Sequence, residues 1–186
     1  IINAVSDFTA YAENMAAQGR ANGWKKLAMV ATSGTYGEAW RKTFADVWIA
    51  RGGQVVGDYP VNYYTETDFS VPLAAALAKK PEVLLIGGPS ATTALVVRQA
   101  RERGFRGGFI LIDQAKPDYV AKMLGDMKLL EGMISTGDIG AVPVPAMPAF
   151  KERFYAAYKR DITAECVLHY TILKVIAKTI QITGSV

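Results

Sequence analysis

The sequence predicts an α/β fold: a doubly wound, parallel, five-stranded sheet with helices on both faces. Three observations lead there. Five short apolar runs alternate with longer stretches of helical period, the pattern of strands joined by helical crossovers. Two of the runs, "QVVGDYPV" and "VLLIGG", are almost continuously apolar, as parallel strands covered on both faces are. Every connection between successive runs is long enough for a helix, and right-handed crossovers of that kind wind a sheet on both sides.

Taken in order, the elements begin with a helix over about residues 6–21, followed by a strand, "KLAMVAT", at residues 26–32. The next helix spans residues 38–51, with Trp40, Phe44, Val47 and Trp48 on one face and "RGG" to end it. Thr35 and Glu38 spell a capping box, which starts this helix inside "TSGTYGEAW". After the second strand, residues 54–61, Asp68 is placed to cap "FSVPLAAALAKK", and Pro72 falls in the first turn. The third strand, residues 83–88, leads to a helix opened by Ser90 and closed by Gly104. The fourth, "FILID" at residues 109–113, is followed by "YVAKMLGD", introduced by Pro117 and Asp118. "GMISTG", residues 132–137, is the fifth. A Pro-rich connector, "AVPVPAMP", then leaves the sheet for two helices at residues 147–159 and 164–182. The expected division is therefore residues 1–140, a helix and five strand units, and residues 141–186, the connector and two helices.

Composition narrows the function classes. Of 186 residues 51% are hydrophobic and 20% charged, an ordinary globular balance, and no apolar stretch approaches the roughly 18 residues of a membrane span. The start lacks a signal-peptide pattern; opening on Ile1 and stopping in a helical pattern, the chain is expected to be a piece of something longer. The net charge of +4 favours anionic partners only weakly, and "RQARERGFR" lacks interleaved aromatics, so it reads as a solvated helix face; no nucleic-acid partner is expected. The single cysteine, Cys166, cannot form an internal disulfide and reads as a small core residue. His169 reads as partly buried and satisfied. With no second histidine, no phosphate-loop motif, no dinucleotide motif and no base beside Ser33 or Ser90, neither an enzyme nor a cofactor or metal is expected.

In an open parallel sheet the ligand crevice lies beyond the carboxyl ends of the strands. Three turns meet there, "TSGTYG", "GGPSATT" and "IDQAKPD". The candidate ligand-binding residues they supply are Thr35, Tyr36, Gly88, Pro89, Ser90, Asp113 and Gln114. Tyr36 stands where a turn would take Gly, Asn or Asp, so either its ring and hydroxyl serve a ligand or it packs on Trp40. Gly87 and Gly88 admit either close approach of a ligand to a helix N-terminus or a tight turn. Asp113 ends an apolar strand, where a carboxylate needs a cation or donors; it either holds a ligand ammonium or caps a turn.

The segments "KKLAMVATSGTYGEAWRKTFADVWIARGGQVV", "TETDFSVPLAAALAKKPEVLLIGG", "VVRQARERGFRG" and "EGMISTG" resemble, in order and spacing, the periplasmic solute-binding proteins of ABC importers that include the leucine/isoleucine/valine-binding proteins. The resemblance implies a type I periplasmic binding fold, in which two flavodoxin-like lobes close on a ligand, and makes this chain the second lobe. It implies that residues 141–186 are a hinge connector and two helices belonging to the first-lobe side, that Tyr36 lines the cleft, and that Asp113 takes the ligand's amino group. Relatives carry a cleft aromatic where this chain has Pro89 and Ser90. The implied ligand is an amino acid or related small carboxylate, the implied partner a membrane permease, and the implied location the periplasm. A ligand-sensing domain of a receptor or regulator is the alternative with the same fold.

Overall fold

A computed structural model describes residues 7–137 and 142–184. The chain divides into two compact units, one spanning Asp7–Thr136 and the other holding the described residues from Gly137 onward.

The first unit contains α1 (Phe8–Ala21), β1 (Lys26–Ala31), α2 (Gly34–Ala50), β2 (Gln54–Asp58), α3 (Ser70–Ala78), β3 (Val83–Gly87), α4 (Ser90–Glu102), β4 (Gly108–Leu111), α5 (Pro117–Leu124), a 3-10 turn (Met127–Leu130) and β5 (Met133–Ile134). The strands pair in parallel in the order β2-β1-β3-β4-β5. The first crossover steps one way and all later ones step the other way. Because each crossover keeps the same hand, this reversal places α2 on one face of the sheet and α3, α4 and α5 on the other.

Side-chain alternation along the strands then fills two cores. Leu27, Met29, Val83, Leu85 and Ile110 meet Trp40, Phe44 and Trp48 of α2 and Met15 of α1. Ala28, Val30, Leu84, Ile86, Phe109 and Leu111 meet Leu73, Val97 and Val120 of α3, α4 and α5. With apolar partners on both sides, β1, β3 and β4 have no solvent face and carry no polar alternation.

Several expectations are corrected. β2 is the sheet edge and only half-buried, because β1 flanks it on one side alone. Its apolar run ends as a strand at Asp58, and Val61 makes an isolated bridge to Thr32. The capping box is not formed: α2 starts at Gly34 with Ser33 as N-cap, while Thr35 and Glu38 are exposed. In its first turn Gly37 sits against the Thr32 carbonyl, where an added Cβ would lie 1.8 Å from the oxygen. Asp68 does cap α3 as expected, though from one position before the buried Phe69: its carboxylate accepts the Ser70 N–H at 2.9 Å.

The basic stretch is not wholly a solvated face. Arg98, Arg103 and Arg106 are exposed, but Arg101 turns inward and donates to the carbonyls of Phe105, Gly107, Leu129 and Glu131 at 2.8–3.0 Å. Its guanidinium lies 4.5 Å from the Phe109 ring centroid, so one side chain ties the loops before β4 and β5 together.

The second unit holds α6 (Met147–Tyr158) and α7 (Ala164–Thr183). Phe150 packs at a tilt on Tyr170, ring centroids 4.8 Å apart, and Phe154 likewise on Tyr158 at 4.7 Å. No residue of α7 is buried. Cys166 is therefore not a core residue: it lies half-buried in the first turn, where the Thr163 hydroxyl donates to its sulfur at 3.4 Å and draws the thiol pKa down. His169 is exposed for the same reason. Residue 6, the expected start of the first helix, and residue 141, the first of the connector, lie outside the described residues. Among those described, no helix is long and apolar enough to cross a membrane.

Candidate functional site

The reversal of winding falls between β1 and β3, so the helices that follow these two strands depart to opposite faces and leave a crevice at their carboxyl ends. Gly87 closes β3 with φ +133°, a conformation reserved for glycine, and a Cβ there would strike Ile112. The next residue, Gly88, has the Tyr63 ring where its side chain would be, and its N–H donates to Thr93 Oγ1 at 3.2 Å. Packing of Tyr63 and capping by Thr93 thus account for this glycine pair. Pro89 is the N-cap of α4 and accepts from Thr93. Ser90 Oγ accepts the Lys116 N–H at 3.0 Å, joining the start of α4 to the loop after β4.

That loop carries Asp113. The Tyr36 hydroxyl donates to Asp113 Oδ1, and Trp40 Nε1 donates to the same oxygen at 2.8 Å. Two residues one helical turn apart on α2 therefore converge on one carboxylate oxygen from the end of a strand two places away in the sheet. Among the described residues no donor is bonded to Oδ2. Lys116 Nζ donates to the Asp113 carbonyl at 2.9 Å. Tyr36 is only partly buried; its ring meets Phe8 edge-on at 5.5 Å. Burial first, then the bond and charge of Asp113, push the phenol pKa well above its ordinary value, while Trp40 and the Gln114 backbone N–H oppose the shift. Tyr36 is thus held neutral and acts as a donor.

Of the seven candidates, Tyr36, Asp113 and Gln114 come together at one place. Ser90 is tied to the same loop through Lys116, Gly88 and Pro89 are engaged in the turn, and Thr35 is exposed at the start of α2. Trp40 was legible only as core; yet a wholly buried indole needs an acceptor for its N–H, and Asp113 is that acceptor. Tyr63 and Tyr64 were missed. Tyr63 is buried, donating to the Val30 carbonyl and accepting from the Gly87 N–H at 3.3 Å, whereas Tyr64 is exposed and its hydroxyl accepts from Gln114 Nε2 at 2.8 Å. The two tyrosines lie in a turn closed by the Glu66 N–H on the Asn62 carbonyl at 3.0 Å, and no sequence pattern marked which of them would be buried.

Comparisons with known proteins agree with this fold. The fold matches a leucine-binding protein, LivK, from Thermotoga maritima MSB8 with TM-score 0.82 and 26% identity over 95% of this chain and 51% of that one. It also matches an amino acid ABC transporter substrate-binding protein from Pseudomonas fluorescens Pf-5 (TM-score 0.81, 24% identity, 99% of this chain and 51% of that one). A branched chain amino acid ABC transporter periplasmic ligand-binding protein from Burkholderia xenovorans LB400 follows at TM-score 0.77 and 21% identity, over 99% of this chain and 49% of that one. The chain thus spans about half the length of these structures. A comparison with functionally curated proteins returned no match. A family model described as periplasmic binding protein matches residues 2–186. On that match and on the five-stranded type I lobe described above, the chain belongs to the periplasmic binding protein family.

Proposed function

We infer that this chain is one lobe of the solute-binding component of an ABC importer, and that its rim holds a small polar ligand, an amino acid or related carboxylate. The observation that carries the reading is the convergence of Tyr36 and Trp40 on Asp113 Oδ1 at the crevice. Neutral donors fix the carboxylate while leaving Oδ2 to accept from a ligand ammonium, so the lobe selects the cationic end of a zwitterion. The ligand carboxylate would be gripped by a second lobe, supplied by chain beyond these residues. Closure of the two lobes stabilises the complex only through contacts made by both, so one lobe retains only its own share.

The flanking helices fit the same reading. A helix of 20 residues without a buried side chain gains little from propensity alone, and Tyr170, Leu173 and Ile176 of α7 are exposed. We assign residues 141–186 to the hinge and the first-lobe side, where such a face would be covered. The importer's membrane permease is then the protein partner and the periplasm the location.

Leucine, printed in the name of the 26%-identical structure, is the natural first probe. Titration of the 15N-labelled chain with L-leucine should move the Trp40 indole N–H and the Gln114 side-chain amide resonances, with affinity in the millimolar range. Absence of movement would contradict binding at this rim; a low-micromolar constant would contradict the division of contacts between lobes.

A further inference from the structure

We propose that Tyr64 is a specificity-determining residue, its ring forming the wall against which the apolar part of the solute packs. The proposal rests on the solute-binding reading above and adds to it the side of the ligand that Asp113 does not address.

The loop between β2 and α3 starts at the sheet edge, yet Tyr64 reaches Gln114 in the loop after β4. Strands are spaced about 4.8 Å apart, so the three steps from β2 to β4 amount to about 14 Å across the ends of β1 and β3. The intervening contacts trace that path. Ser33 N–H donates to the Val61 carbonyl at 2.8 Å over the end of β1. Tyr63 then plugs the gap between β1 and β3, bonded to Val30 and Gly87 and packed at a tilt on Phe69, ring centroids 5.1 Å apart. With Tyr63 pointing down, its neighbour Tyr64 points away from the core and is 67% exposed.

A large exposed aromatic ring at a loop tip has no folding reason to be held still. Tyr64 nevertheless has its far end fixed by the amide of Gln114, the residue next to Asp113. A tyrosine ring costs little entropy to order and offers a broad apolar face with one polar handle. With an ammonium on Asp113, the carbon skeleton of the solute extends towards this ring. The lobe then discriminates solutes by side-chain bulk as well as by charge.

The test compares L-leucine with glycine, which shares the charged groups and lacks the side chain, on the 15N-labelled chain and on Tyr64→Ala and Tyr64→Phe. The wild-type chain is expected to prefer leucine roughly tenfold, the worth of burying part of an aliphatic side chain. Tyr64→Ala should lower the leucine affinity roughly fivefold and leave glycine unchanged, while Tyr64→Phe, which keeps the ring, stays within about twofold of wild type. An unchanged leucine-to-glycine ratio in Tyr64→Ala, or an equal loss for both ligands, would overturn the role of Tyr64 and leave the solute-binding reading standing. If neither ligand moves any wild-type resonance, both fall together.

Discussion

Asp113 lies in the loop just past the apolar strand β4, and what makes a carboxylate tolerable there is the pair of donors that α2 aims at it. Tyr36→Phe keeps the ring against Phe8 and removes one donor. It is expected to destabilise the fold by about 1.5–3 kcal/mol in urea denaturation, the usual cost of losing a hydrogen bond to a charged group. The raised pKa of Tyr36 has its own signature. An unfolded tyrosine ionises near pH 10, whereas the folded phenol holds its proton to higher pH. The stabilisation is therefore complete below about pH 10 and is lost as the pH rises beyond it. The urea midpoint should fall above that pH, and less steeply in Tyr36→Phe than in the wild type. The aromatic in a glycine-flanked turn was legible as a functional candidate. Its bond to Asp113 was not, because it joins residues 77 apart in the chain and depends on strand order.

At the scale of elements, helix and strand positions were read well because apolar periodicity is local. The exposure of β2 was not, since an edge strand and a central one differ in neighbours rather than in composition. Arg101 escaped for a related reason: its carbonyl partners come from two loops brought together only when β4 and β5 pair. Arg101→Lys keeps the charge but cannot reproduce a fork that meets four carbonyls. It should lower stability by about 2 kcal/mol, measured by chemical denaturation, and leave the Trp40 indole resonance in place. Tyr63→Phe is expected to cost about 1–2 kcal/mol by freeing the buried groups that anchor the crossing loop.

At the scale of the molecule, every residue of the two hydrophobic cores flanking the sheet lies in the unit Asp7–Thr136. A chain ending after residue 137 should therefore still unfold cooperatively, and near-ultraviolet circular dichroism of Trp40 and Trp48 during urea unfolding would show it. The sheet, its winding and the turns at its rim were all foreseeable from sequence, whereas the strap that Tyr63 and Tyr64 form across the rim was not. The central claim is that Asp113 recognises a ligand ammonium, and one measurement addresses it: titration of the chain and of Asp113→Asn with L-leucine and with 4-methylpentanoate, its analogue without the amino group. The wild type is predicted to bind leucine more tightly than the analogue by roughly tenfold, with the preference gone in Asp113→Asn. Equal affinity of the wild type for the two compounds would contradict the account.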